Sequence, residues 1–153
     1  MDKSLEQINL AIASLVNHNE SYSWVPGGTW SAGGCGVLSM ALLDIIHDVY
    51  HPRPVVIQGK SHHNSEVAPQ HVCIQIKVDV EELFIDADGI QTKDRLLTKM
   101  VTLERLISPS IAFYDNDACV QQGITATPEQ IEKTGLYLRN ECLNIQRNSH
   151  DRQ

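Results

Sequence analysis

The sequence predicts an α+β fold: a central helix carrying a cysteine packs on a small antiparallel sheet, flanked by N- and C-terminal helices. Three observations predict it. Segments 4–17, 36–50 and 128–147 repeat apolar residues at helical spacing, which gathers them on one face. The stretch 71–78, HVCIQIKV, alternates apolar and polar residues with the period of a strand. The order along the chain is helix, loop, helix, strand cluster, helices.

The first helix opens on Ser4-Leu5-Glu6-Gln7, a capping-box pattern in which the Ser hydroxyl and Gln amide serve orphan backbone donors. Leu5, Ile8, Ile12, Leu15 and Val16 form its apolar stripe. Residues 18–34 hold Pro26, four glycines and both tryptophans, so no regular element fits. A loop of this length inside a domain is usually functional when it is not disordered, and the tryptophans argue against disorder. Leu38, Ala41, Leu42, Ile45 and Val49 predict the central helix over 36–50, stopped by Pro52 and Pro54.

Pro54 to Gln58 reads as a short buried strand and Lys60 to Pro69 as a polar loop. In the alternating stretch, Val72, Ile74, Ile76 and Val78 point one way, and His71, Cys73, Gln75 and Lys77 the other. Leu83 to Asp86 is the return strand of a hairpin. Residues 93–107 predict a helix with a broad apolar face (Leu96, Leu97, Met100, Val101, Leu103, Ile107) ended by Ser108-Pro109. Residues 110–126 are ambiguous. Thr127-Pro128-Glu129-Gln130 announces the last helix with an N-cap and a first-turn proline. One domain over 1–147 and a polar tail over 148–153 result.

The 153 residues are 42% apolar and 20% charged, as in a folded globular chain. A net charge of −7 without a Lys/Arg cluster excludes nucleic acid as a partner. No apolar run approaches the roughly 18 residues of a membrane span, and the N-terminus lacks the pattern of a signal peptide. A cytoplasmic protein is expected, with export as an effector left open. Cys35, Cys73, Cys119 and Cys142 include no CxxC pair, which points to reduced thiols.

Cys35, in SAGGCGVLSMALLDI, falls where a flexible backbone meets a helix N-terminus. There the peptide dipoles favour a thiolate, and unpaired first-turn amides can hold a developing oxyanion. Gly33 and Gly34 let the loop bend and a substrate approach. A general base belongs on a neighbouring strand, and His71 meets that description. Asp86 ends an apolar strand, where an unpaired carboxylate is costly, and pairing with His71 satisfies it. A turn at Val78-Asp79 sets Asp86 opposite His71; a turn at Asp79-Val80 sets Asp88 there instead. Asp86 is favoured because Gly89 makes Asp88 look like turn chemistry.

Through GGCGVLSMAL, QHVCIQI and FIDADGI, residues 30–90 resemble the papain-like cysteine hydrolase fold in its broad sense. That class includes transglutaminases, arylamine N-acetyltransferases, NlpC/P60-type peptidases and bacterial glutamine deamidases. The resemblance implies a Cys35–His71–Asp86 triad, no cofactor, and a protein, peptide or amide substrate attacked through a thioester. Hydrolysis of the thioester makes a peptidase, amidase or deamidase; capture by an amine makes a transglutaminase. The upstream Gln of papain-type oxyanion holes is missing, leaving Gly34, Thr29, Ser31, Gln58 and Gln70 as candidates, with Trp30 and Trp24 either walls of a cleft or core anchors.

Two further readings stand beside it. One is a binding module on the same scaffold without turnover. The other is a metal-dependent hydrolase using His62, His63 and the i, i+4 pair His47 and His51. Neither metal binding nor a calcium role for Asp115-Asn116-Asp117 is favoured.

Overall fold

The computed structural model describes residues 1–151, with side chains through Ser149. The chain is α+β, with one five-stranded antiparallel sheet and helices at both ends. Helix α1 (Lys3–Asn17) leads through a long loop of short 3-10 turns to α2 (Cys35–Leu43). Strands β1 (Arg53–Lys60), β2 (Ala68–Val78), β3 (Glu81–Asp86) and β4 (Gly89–Thr92) follow. Then come α3 (Lys93–Thr102), β5 (Ile107–Phe113), α4 (Asn116–Gln121) and α5 (Pro128–Asp151). The strands lie in the order β4-β3-β2-β1-β5. Among the described residues no helix is long and apolar enough to cross a membrane.

The sheet is buried on both faces. Helices α1, α2 and α5 cover one, where Leu5, Ile12, Leu15, Leu38 and Leu42 meet Ile74, Ile76 and Ile85. Helix α3 covers the other, where Leu96 and Met100 meet Val55, Ile57, Cys73 and Phe84. Residues 71–76 are therefore all buried, although their alternation reads as one wet and one dry face. The polar residues on the α3 side, His71 and Gln75, must find partners inside the protein.

Several boundaries differ from the sequence reading. Asp2, not Ser4, caps α1: its Oδ1 accepts the Leu5 amide at 3.0 Å. Helix α2 stops at Leu43 rather than Tyr50. The His47 ring accepts the Val49 amide at 3.0 Å and starts a separate turn over Asp48–Tyr50, and His51 adopts a left-handed φ of 47°. Seven of the nine α2 residues are buried, as befits a helix enclosed on all sides. Helix α3 ends at Thr102; the chain reverses through Arg105, with φ 56°, so that Leu106 enters the core. Leu103 and Ile107 are left 72% and 52% exposed, outside the apolar face expected of them. The ambiguous stretch 110–126 contains most of β5 and all of α4, with Asp115 Oδ1 capping α4 through the Ala118 amide at 3.2 Å. Thr127 and Gln130 cap α5 reciprocally, at 3.2 and 2.9 Å. This helix continues through 148–151, assigned to a tail by sequence; residues 152–153 lie outside the described residues.

Candidate functional site

Cys35 is the first residue of α2. The amides of Cys35, Gly36 and Val37 have no intrahelical acceptor at that position, and none elsewhere among the described residues. The loop before them is shaped by close backbone contact. A Cβ on Gly33 would sit 1.8 Å from the Pro26 carbonyl oxygen, and one on Gly34 2.8 Å from that of Thr29. The Gly34 amide already donates to the Thr29 carbonyl at 2.7 Å. Gly34 shapes the loop and is not a free oxyanion donor.

His71 lies on β2, opposite Ile57 of β1 and next to a bulge at Ile57/Gln58. Its Nε2 is 2.9 Å from Asp86 Oδ2, and both side chains are buried. The Cys35 thiol lies near enough to the same ring to favour its protonated form. With Nε2 committed to Asp86, Nδ1 is the ring nitrogen left for the sulfur. Burial alone would lower the imidazole pKa, but hydrogen bonds and charge from Asp86 and Cys35 outweigh it and raise it to about 9.

Asp86 is the centre of the arrangement. Oδ2 takes the His71 ring and Lys99 Nζ, the latter at 2.6 Å. Oδ1 takes Gln91 Nε2 at 2.7 Å and the Asp88 amide at 2.9 Å. Burial works against the ionised carboxylate, yet the His71 and Lys99 contacts hold the acid well below the usual carboxylate range. Lys99 also binds Asp88 Oδ2 at 2.8 Å. Its own pKa is raised, because the two carboxylates outweigh the effect of burial.

The β2–β3 turn sits at Asp79-Val80, since Val78 pairs with Glu81. That is the register linked by sequence to Asp88, yet the acid on His71 is Asp86. A second turn explains it: Asp86 pairs with Gly89, so β3 ends at Asp86 and Asp88 leaves the ladder. Asp86 lies one step past the Ile74–Ile85 pair and meets His71 diagonally, within the reach of diagonal neighbours.

A cleft of about 210 Å³ opens onto His71 and Asp86, with Ser31, Lys99, Leu103 and Glu104 among its walls. Cys35 is 3% exposed and packs with Val56, Val72 and Cys119. Of the other candidates, Trp30 is core: 1% exposed, its indole donates to Ser21 Oγ at 2.8 Å. Trp24 packs against His18 and Tyr137. Gln58 points to Ser110 on β5, and Gln70 is half-buried on β2 outside the cleft lining. Cys73 is fully buried, and burial drives its thiol pKa up. With α2 ending at Leu43, His47 and His51 do not share a helical face. Among the described residues no group of three or more His, Cys, Asp or Glu is placed to hold a metal ion.

Gln91, Lys99 and Glu104 escaped the sequence reading. Gln91 offered one signal, a polar residue alternating with Ile90 just after the strand that ends in Asp86. Lys99, between Leu96 and Met100 on α3, looks like the wet edge of an amphipathic helix. No protein-family model, no curated protein and no solved structure matches this chain.

Proposed function

We propose that this protein is a cysteine-dependent acyl-transfer hydrolase of papain-like type, with Cys35 as nucleophile, His71 as general base and acid, and Asp86 as the group that orients His71. One observation carries the proposal: a buried imidazole is bound at Nε2 by a carboxylate at 2.9 Å, and a thiol at a helix N-terminus lies near enough to favour the protonated ring. His71 takes the Cys35 proton, and the thiolate attacks a carbonyl carbon to form the C–S bond. The carbonyl oxygen takes up the negative charge beside the first-turn amides of α2. Collapse breaks the bond to the leaving amine, which departs with the proton from His71. Water, deprotonated by His71, then cleaves the thioester to an acid and restores the thiol. The substrate class is a peptide, a protein side-chain amide or another amide; an amine in place of water gives the transglutaminase outcome.

An iodoacetamide-type probe tests the reading. It labels Cys35 well ahead of Cys119 and Cys142 at about pH 6, where an ordinary thiol is almost fully protonated. Cys35→Ala abolishes that labelling, thioester trapping by hydroxylamine and amide hydrolysis, while thermal stability stays nearly intact. Equal labelling of all three thiols, or fast labelling that survives Cys35→Ala, overturns it.

The binding-module reading draws on the 3% exposure of Cys35, with the cleft reaching His71 but not the sulfur among its lining residues. It requires ligand binding without a thioester, and Cys35→Ala leaves that binding unchanged.

A further inference from the structure

We propose that Lys99 is a positioning residue of this site: by sharing Oδ2 of Asp86 with the His71 ring, it offsets part of the carboxylate's charge, so the imidazolium can give up its proton. The proposal rests on the hydrolase reading for its catalytic meaning, and its geometry stands independently. Lys99 Nζ lies 2.6 Å from the oxygen that His71 Nε2 approaches at 2.9 Å. The lysine side chain is 17% exposed and the Asp86 side chain 3% exposed, so solvent screens the pair weakly. It is delivered by α3, the helix that covers this face of the sheet, and so ties the site to an element remote in sequence.

The charged and titratable groups facing His71 come from every neighbouring element. They are Cys35 from α2, Cys73 from β2, Asp86 from β3, Asp88 from the following turn, Lys99 from α3 and Glu104 beyond it. Lys99 is the cation among them besides His71 itself. Without it, His71 faces the full charge of Asp86 and holds its proton more tightly. A general acid that must hand a proton to the leaving group is weakened by that change. A second effect follows from the hydrogen-bond count. Oδ1 of Asp86 keeps Gln91 and the Asp88 amide, so the carboxylate stays near its place while its charge goes unopposed. The loss is then mainly electrostatic.

NMR titration of the His71 ring in the full chain tests this directly. The wild-type inflexion is expected above the ordinary imidazole value, because Asp86 holds the protonated ring. Lys99→Met moves the inflexion up by about one pH unit, as expected for removing a like charge within a few ångströms. Lys99→Arg restores it. Asp88→Asn, at an exposed side chain and with the backbone bond to Asp86 intact, moves it down, because Lys99 then serves Asp86 alone. An inflexion that stays put in Lys99→Met overturns the proposal, and so does one that stays put or rises in Asp88→Asn if the lysine variant fails to fold. These readouts need no turnover: an inert Cys35 with the shifts observed refutes the hydrolase reading alone, and a reactive Cys35 without them refutes the role of Lys99 alone.

Discussion

Replacing Asp86 by Ala removes the acceptor of four hydrogen bonds, from His71, Lys99, Gln91 and the Asp88 amide, at 2.6–2.9 Å. The carboxylate is 3% exposed. Its loss strands an imidazolium and a lysine that is only 17% exposed. Breaking a buried ion pair from one side costs about 3–5 kcal/mol. Two adjustments place this case near the lower end, at about 3 kcal/mol: His71 can shed its proton, and Lys99 keeps Asp88. Against a typical stability of about 5–15 kcal/mol, that is a large share. Asp88→Ala is the control. Its side chain is 59% exposed and serves Lys99 alone, so it costs about 0–1 kcal/mol. Urea unfolding followed by tryptophan fluorescence reads both, since Trp30 is 1% exposed in the folded state. If Asp86→Ala costs no more than Asp88→Ala, the Asp86 carboxylate is not the centre of the arrangement, and the orientation of His71 has another origin.

Three further outcomes are expected. Because the folded state depresses the Asp86 pKa, its linked stability is fully present above the unfolded value of about 4 and is lost as pH falls below it; Asp86→Asn removes that share of the acid limb, and an unchanged limb refutes it. Gly33→Ala drives a methyl to 1.8 Å from the Pro26 carbonyl oxygen and costs on the order of 3 kcal/mol in a denaturation curve, whereas Gly135→Ala, with nothing within 4 Å on α5, gains about 0.5–1 kcal/mol. Trp30→Phe loses the indole bond to Ser21 and lowers stability by about 1 kcal/mol, with the rate of Cys35 labelling unchanged; a slowed rate restores Trp30 to the cleft.

Local periodicity made most of the elements legible, because it repeats within one segment. The stripe of α1, the capping residues of α5, the alternation of β2 and the cysteine at the start of α2 all belong to signals a dozen residues long or less. The ends were harder. Helix α2 stops at Leu43, where the Ile45 and Ile46 amides both turn to the Leu42 carbonyl; its apolar pattern runs on to Val49, which is 61% exposed. Strand β5 was hidden because Pro109 and a left-handed Ser108 interrupt its period.

By itself, the order of residues determined the chemistry available: a thiol at a helix start, then an imidazole on a strand, then carboxylates at the end of a hairpin. Only the tertiary structure decided which groups meet. It closed β3 at Asp86, excluded Asp88 from the ladder, buried the face of His71 under α3, and brought Lys99 to the same oxygen as the ring. The reason is physical. Periodicity acts between neighbours along the chain, whereas the partners of a buried charge are chosen by whichever distant elements pack around it.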